Sequence, residues 1–269
     1  MLTLRNITLV AAILFGAYGI LSVIDGQEES QLGANQFMVI TVKGKIVFHK
    51  TGTALKRGDM YEKGVDLDFL TKTARAAIAN EKTGRWVLTP NKKGQTSILP
   101  ASNNLSSRSG GLLNLIDLKN YFKGRVLALD ILKLPISAES FPQNEKEFFY
   151  LKYKYNKEVI AKKLSFDGDS LVFDRNEIFR VDGNPIPVEE KEMTLYYKGS
   201  EKTYKINKFT PVFPDLQELK TEVQTLIEHT PSKSAEEQLE EVGGFLNDFY
   251  GKTNRNNLRG WLMKEFELG

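Results

Sequence analysis

The sequence has no cysteine and only two histidines, His49 and His229. Without cysteine the protein cannot form disulfides, thiolate zinc sites or a cysteine nucleophile, and it cannot carry the acylated cysteine of a lipoprotein. Two histidines are too few for a histidine-rich metal site. We therefore expect no metal ion in this protein.

No stretch of the sequence concentrates basic residues. The net charge is +3 and the isoelectric point is about 8.8. The basic residues of the first hundred positions are spaced among predicted strands, as Lys43, Lys72 and Arg75 illustrate. Such spacing is typical of a solvated surface, so we expect no binding to nucleic acid.

Catalytic motifs are also missing. The sequence has no glycine-rich nucleotide loop and no serine nucleophile motif, and its clustered acids cannot be nominated as a catalytic pair. Catalytic groups often come together from distant positions, so this lack alone does not exclude an enzyme. The sequence favours a protein without enzymatic activity and without a cofactor.

One long hydrophobic run is present near the N-terminus. Ile7–Ile24 carries no charge across 18 positions, a length that can span a bilayer as a helix. Arg5 precedes the run, and Asp25 and Glu28 follow it. This asymmetry predicts a cytoplasmic N-terminus and a folded body on the far side of the membrane.

Three structures fit this run. An uncleaved membrane anchor is favoured by the length of the run and by the missing Ala-x-Ala motif. A cleaved signal peptide would use Ile24–Gly26 as its cleavage site, directly before Gln27. The third structure is a buried helix of a soluble domain. We predict that residues 1–26 are a transmembrane anchor or a signal segment.

Residues 36–100 are typical of a small all-β domain. Apolar or alternating runs such as Phe37–Val42 and Gly84–Pro90 are separated by turn residues rich in glycine, aspartate and lysine. Short strands at such regular spacing predict a small β-barrel or sandwich.

The motifs of residues 42–90 resemble a known family. They read Val-x-Gly-x-Ile, Leu-x-x-Gly-Asp, Gly-x-x-Leu, Ala-x-Ala-Ala-Ile and Gly-Arg-x-x-Leu-x-Pro in this order. The order resembles the FecR-type domain, a β-rich domain found outside the inner membrane of bacteria. The resemblance implies a β-rich fold at the inner membrane with its body in the periplasm, or an exported protein if the first segment is cleaved.

Residues 112–210 predict a second β-rich module after a Ser/Asn/Gly-rich linker at 101–111. Arg125–Pro135 is typical of one buried strand, and six short strands follow, of which Glu177–Val181 is one. Glycine-containing turns join them, which predicts an antiparallel sheet.

An alternating aromatic stripe runs through the first of these six strands. It could be a platform on which a ligand stacks, but its period of two fits one buried face of a strand better. The stripe consists of Phe149, Leu151, Tyr153 and Tyr155.

Residues 211–269 predict a helical region. Asp215 and Ser234 are suitable N-caps, each followed by glutamate at the third helical position and by apolar residues at helical spacing. The apolar stripes could dock a partner helix or pack on the protein's own sheet. Residues 215–269 carry a net charge of −5 against +8 for the rest of the chain, a polarity that is compatible with self-association.

These patterns predict an α+β protein that is mostly β. It would contain an N-terminal transmembrane or signal helix, a small β-barrel or sandwich, a second antiparallel sheet and C-terminal helices. We predict a structural or interaction protein of the bacterial cell envelope, such as an accessory component of a secretion or envelope complex. Its partners would be other envelope proteins or further copies of the chain, and Ile7–Ile24 would contact the membrane.

Two other functional classes remain as alternatives. One is an envelope hydrolase or carbohydrate-acting enzyme, and the other is an extracytoplasmic ligand-binding or sensory module. For protein contacts we nominate four aromatic residues, because tyrosine and tryptophan supply much of the binding energy at interfaces. They are Trp86, Tyr196, Tyr197 and Trp261.

Overall fold

A computed structural model describes residues 32–100, 111–230 and 234–267. The predicted anchor or signal segment at 1–26 lies outside these ranges, as does nearly all of the predicted linker at 101–111. Within the described ranges, no helix combines the length and the apolar character needed to cross a bilayer. The described chain is mostly β and contains five helices.

The first seven strands form one sheet and one small ladder. They are β1 (Gln36–Lys43), β2 (Ile46–Phe48), β3 (Met60–Glu62), β4 (Leu67–Phe69), β5 (Arg75–Asn80), β6 (Gly84–Pro90) and β7 (Thr96–Pro100). The first sheet has the order β3-β1-β5-β6-β7 with antiparallel pairs, and β2 pairs with β4 beside it.

Both faces of the first sheet are buried. On one face Val39, Ile78 and Leu88 pack with the side chains of β2 and β4. On the opposite face Ile40 and Ala77 pack against the C-terminal helices. This second face, which we call the helix-packed face, also carries several polar side chains.

The middle of the chain forms a curled sheet and a smaller one that closes its core. The elements are α1 (Leu115–Tyr121), β8 (Gly124–Leu127), β9 (Ile131–Pro135), β10 (Phe148–Tyr155), β11 (Glu158–Lys163), β12 (Phe166–Asp167), β13 (Ser170–Asp174), α2 (Arg175–Ile178), β14 (Arg180–Val181), β15 (Asn184–Pro185), β16 (Met193–Lys198) and β17 (Thr203–Val212). The second sheet has the order β11-β10-β16-β17-β8, and β12-β13-β9 is the smaller one.

The aromatic stripe of β10 faces the core of the second sheet. Phe149, Leu151 and Tyr153 are buried there, and Tyr155 packs against the same core with partial exposure. The preference for a buried strand face over a ligand platform is confirmed.

The prediction of a purely antiparallel second sheet is wrong at one edge. β8 pairs with β17 in parallel. Asp130 has a φ of +56° and divides the predicted strand Arg125–Pro135 into β8 and β9, which belong to different sheets. A parallel pair joins segments far apart in the chain, so hairpin-turn signals cannot reveal it.

The strand predicted at Glu177–Val181 is also wrong in its first half. The side chain of Asp174 accepts a hydrogen bond from the Asn176 N–H and begins the four-residue helix α2. Only Arg180 and Val181 are extended, as β14. A local side-chain cap therefore outweighs the β propensity of this segment.

Three helices complete the described chain: α3 (Leu216–Glu228), α4 (Ala235–Phe249) and α5 (Arg255–Phe266). The predicted caps are confirmed, because Asp215 accepts from two N–H groups of α3 and Ser234 forms a capping box with Glu237. The buried sides of the helices share one core with the first sheet and with Leu127 and Val212 of β8 and β17. The predicted division into modules at 36–100, 112–210 and 211–269 stays a prediction.

Buried polar contacts fasten the helices to the first sheet. The side chain of Arg85 in β6 is fully buried, with Nε 2.9 Å from Glu241 Oε1 and Nη1 2.8 Å from Asp248 Oδ2 of α4. In β1, the Thr41 hydroxyl donates to Glu222 Oε1 of α3 at 2.6 Å. Because these charged groups are buried, removing the partner of any one of them would destabilise the folded protein.

We expect Arg85→Ala to destabilise the protein by about 3–5 kcal/mol, because Glu241 then stays buried without its cation. Urea unfolding of the full chain, followed by circular dichroism, measures this loss. The matched control is Arg180→Ala, since Arg180 is exposed in β14, and it should change the free energy of unfolding by less than about 0.5 kcal/mol. Equal losses in the two variants would contradict a structural role for Arg85.

Candidate functional site

A row of polar side chains crosses one end of the helix-packed face. Lys43 in β1 lies directly opposite Arg75 in β5. The register of β5 and β6 then places Thr89 across from Arg75 on the other side. Like charges at directly opposite positions destabilise an antiparallel pair. The two cations therefore weaken the sheet locally, and a binding role would explain their position.

These residues line a cleft with a volume of about 540 Å³. Lys43 and Arg75 belong to the first sheet, Lys72 lies in the turn before β5, and Arg125 comes from β8. Among the described residues on the cleft wall, Glu190 is the only acid. The lining is therefore strongly electropositive, and we call it the basic cleft.

Two glycines allow the segments around the basic cleft to approach closely. Gly44 has a φ of +78°, and a Cβ there would lie 2.6 Å from Thr71 Oγ1, in the turn that carries Lys72. Gly251 has a φ of +128°, and a Cβ there would lie 2.6 Å from the Cβ of Arg125. Any larger residue would displace these turns, so glycine is needed at both positions.

Arg125 is held by backbone and side-chain contacts. The Lys252 N–H donates to the Arg125 carbonyl at 2.9 Å, on the side of β8 opposite to β17. The guanidinium donates through Nε to the Tyr250 carbonyl at 3.0 Å and through Nη2 to Glu190 Oε1 at 2.9 Å. These bonds fix the guanidinium at the wall of the cleft.

Arg75 is a partly buried cation at the wall of the basic cleft. Burial lowers its pKa, and repulsion from Arg125 lowers it further, while Asp248 acts in the opposite direction. Its guanidinium lies 5.1 Å from the centre of the Phe249 ring. In the part of the chain that the structure describes, no carboxylate forms an ion pair with Arg75 or Lys72. An anion bound here would supply the missing negative charge.

A hydrogen-bond network behind the cleft positions Lys43. The buried Glu222 carboxylate accepts from Thr41 through Oε1 and from the Tyr250 hydroxyl through Oε2, both at 2.6 Å. Lys43 Nζ donates to the Tyr250 oxygen at 3.0 Å. Burial is the main cause that raises the pKa of Tyr250, and the Glu222 charge raises it further, so its hydroxyl stays neutral and donates.

The four nominated aromatic residues lie outside the basic cleft and do not form one surface, since the neighbours Tyr196 and Tyr197 point to opposite faces of β16. Trp86 is half-buried on the face of the first sheet opposite the helices. Tyr197 and Trp261 are buried in two different cores, with 3% and 7% exposure. Tyr196 lies on the outward face of the second sheet, at partial exposure. Their role as contact residues stays a prediction.

Sequence reasoning missed the basic cleft because it treated Lys43, Lys72 and Arg75 as ordinary surface residues. A weak signal existed, since Lys43 and Arg75 are charged residues inside strands whose other residues are largely apolar. The contributions of Arg125 and Tyr250 had no local signal, because they come from distant parts of the chain.

Comparisons with protein-family models, with curated proteins and with solved structures each found no significant match. In the described ranges, no group of three or more His, Asp or Glu side chains is arranged to hold a metal ion. The assignment of the basic cleft as the candidate site is therefore supported by its geometry alone.

We expect Tyr250→Phe to reduce stability by about 1–3 kcal/mol near neutral pH, because the buried Glu222 loses a donor. The pKa of Tyr250 is raised above its ordinary value of 10.0 in the folded state. Its stabilising contribution is then complete below this value and is lost as pH rises through it.

Urea unfolding at a series of pH values from about 8 to about 11 tests this expectation. The difference in stability between the wild type and Tyr250→Phe should shrink above about pH 10. A difference that stays constant over the whole series would contradict the assigned role of the hydroxyl.

Proposed function

We propose that this protein is a membrane-anchored or exported interaction protein of the bacterial cell envelope, without enzymatic activity. It would hold an anionic group of a partner, a carboxylate or a phosphate, in the basic cleft. The observation that carries this proposal is the convergence of Lys43, Lys72, Arg75 and Arg125 on one cleft whose described wall contains a single acid.

The chemistry of the cleft supports binding over catalysis. Its carboxylate, Glu190, accepts a hydrogen bond from Arg125, and the nearby Glu222 is buried and accepts two. Neither carboxylate is arranged as a free general base. Fixed guanidinium groups suit the recognition of carboxylate and phosphate, because their planar N–H donors match the geometry of these anions.

The proposed location rests on the sequence. The uncharged run Ile7–Ile24 and the charges around it support an inner-membrane anchor, or a signal segment of an exported protein. The resemblance of residues 42–90 to the FecR-type β domain supports a body in the periplasm. The partners would then be other envelope proteins or further copies of this chain.

We expect the double variant Arg75→Gln, Arg125→Gln to bind inorganic pyrophosphate about 10- to 100-fold more weakly than the wild type. Each substitution removes one charged hydrogen bond between a guanidinium and the pyrophosphate. Isothermal titration calorimetry of the full chain in detergent measures the affinity. Sodium chloride keeps the ionic strength equal in all titrations, because screening alone would change a charge-driven affinity.

The control is Arg180→Gln, which removes an exposed guanidinium from β14. It should bind pyrophosphate like the wild type. Equal affinity in the double variant and the wild type would overturn the assignment of the basic cleft. Turnover of pyrophosphate during the titration would favour the enzyme alternative.

We expect the full-length tagged chain, extracted from its native membrane with a mild detergent, to keep Met1 and to co-purify with stoichiometric partners. Mass spectrometry of the intact protein and of the co-purified material tests both points. The double variant should lose those partners, and Arg180→Gln should keep them. A chain that begins near Gln27 and carries no partner would contradict an anchored component of a complex.

A further inference from the structure

The outward face of the second sheet is basic. Side chains alternate along β10, so residues next to the buried Phe149, Leu151 and Tyr153 point away from the core. The strand register adds outward residues from β11, β16 and β17. Six exposed lysines lie on this face: Lys152, Lys154, Lys163, Lys198, Lys205 and Lys208.

The same face lacks acidic residues within its four strands. Glu158 is the only acid in β10, β11, β16 and β17. It pairs with Tyr155, whose side chain belongs to the core side of the sheet. Lys208 donates through Nζ to Glu192 Oε1 at 2.6 Å, just outside β16. The other five lysines have no negative neighbour within the strands of the face.

Aromatic rings lie between the lysines. The rings of Tyr150 and Tyr196 stack with their centres 5.1 Å apart and their planes at 12°. Lys152 Nζ lies 5.7 Å and 5.3 Å from the two ring centres. Phe148 has Lys163 Nζ at 4.6 Å and Lys198 Nζ at 5.3 Å. We call this arrangement the lysine–aromatic face.

We propose that the lysine–aromatic face docks on an anionic lipid surface. The lysines are spread over four adjacent strands, which are about 4.8 Å apart, so the charges form a two-dimensional array. A plane of anionic headgroups matches such an array, whereas a linear polymer would match a single row of cations. Lysine and aromatic side chains also suit the interface between water and lipid.

The ring contacts argue against single-stranded nucleic acid as the occupant. Recognition of single strands depends on aromatic faces that are free to stack with bases. Here Tyr150 and Tyr196 cover each other, and lysine ammonium groups lie near both rings and near Phe148. This surface therefore presents the charge of its lysines to a ligand and does not present a ring face on which a base could stack.

The lack of cysteine allows a direct test on the full-length chain. Val159 is 63% exposed and lies opposite Lys154 on the face, so Val159→Cys can carry an environment-sensitive dye without removing a lysine. The labelled protein is reconstituted with vesicles of phosphatidylcholine alone or with about 30% phosphatidylglycerol. A headgroup-attached quencher then reports contact between the dye and the lipid surface.

We expect quenching in the anionic vesicles and little in the neutral ones. A second label at Leu70→Cys, which is 54% exposed in the first β region, should stay unquenched in both. The segment Ile7–Ile24 is the same in both samples. A difference in quenching between the two lipid compositions therefore reports docking of the face and not insertion of that segment.

The charge-reversed variant Lys152→Glu, Lys163→Glu, Lys198→Glu should lose the contact. Each lysine near an anionic bilayer contributes roughly a factor of five, so the equilibrium between docked and undocked protein should shift at least about 100-fold toward the undocked state. The variant with glutamine at the same three positions should lose less of the contact with the vesicles. It also provides a test if the charge-reversed variant does not fold.

A matched control changes the net charge by the same amount elsewhere. Reversal of three exposed lysines of the first β region should leave the quenching unchanged: Lys50, Lys92 and Lys93. Equal losses in the two reversed variants would overturn the proposal, because net charge and not the face would then drive binding. Equal quenching in neutral and anionic vesicles would overturn it as well.

Binding to soluble anionic polymers distinguishes a lipid surface from other polyanions as the occupant of the face. If dextran sulfate or a single-stranded oligonucleotide bound the face while anionic vesicles did not, the lipid assignment would be wrong. The cleft variant Arg75→Gln, Arg125→Gln should dock like the wild type, so failure of the lipid proposal and failure of the proposed function are separate results.

Discussion

The position of the C-terminal helices depends on the compensation of buried charge on the helix-packed face of the first sheet. Arg85 is fully buried there and contacts the carboxylates of Glu241 and Asp248, while Thr41 donates to the buried Glu222. A buried charge without a partner is costly, so α4 must bring its two carboxylates to Arg85, and the buried Glu222 of α3 must reach the hydroxyl of Thr41. The end of α4 then places Tyr250, and through it the basic cleft.

The two basic surfaces of the protein differ in chemistry. In the cleft, Arg125 is held by hydrogen bonds and Lys43 by the Tyr250 hydroxyl, and these contacts would orient the single anion that we propose for this site. The lysine–aromatic face is an open surface, and its exposed lysines are spread over four adjacent strands. Guanidinium groups suit directed recognition and lysines suit contact with a diffuse charged surface. The two surfaces would thus recognise a partner and a membrane separately.

Local sequence signals predicted much of the secondary structure. Asp215 and Ser234 cap the helices where the sequence indicated, and the alternation at Phe149, Leu151 and Tyr153 identified the buried face of β10. The predictions were wrong where a local cap or a backbone reversal outweighed the apolar pattern. Asp174 begins α2 inside a predicted strand, and the positive φ of Asp130 divides another.

The sequence by itself determined the mostly β character, the caps and the strand faces, because these depend on neighbours a few residues apart. Tertiary structure alone decided the parallel pair of β8 with β17 and the meeting of Lys43, Arg75, Arg125 and Tyr250. Those residues come from segments far apart in the chain. Folding brings their side chains to one cleft, where Lys43 and Arg75 are partly buried and Arg125 stays exposed, and this arrangement is a property of the whole fold.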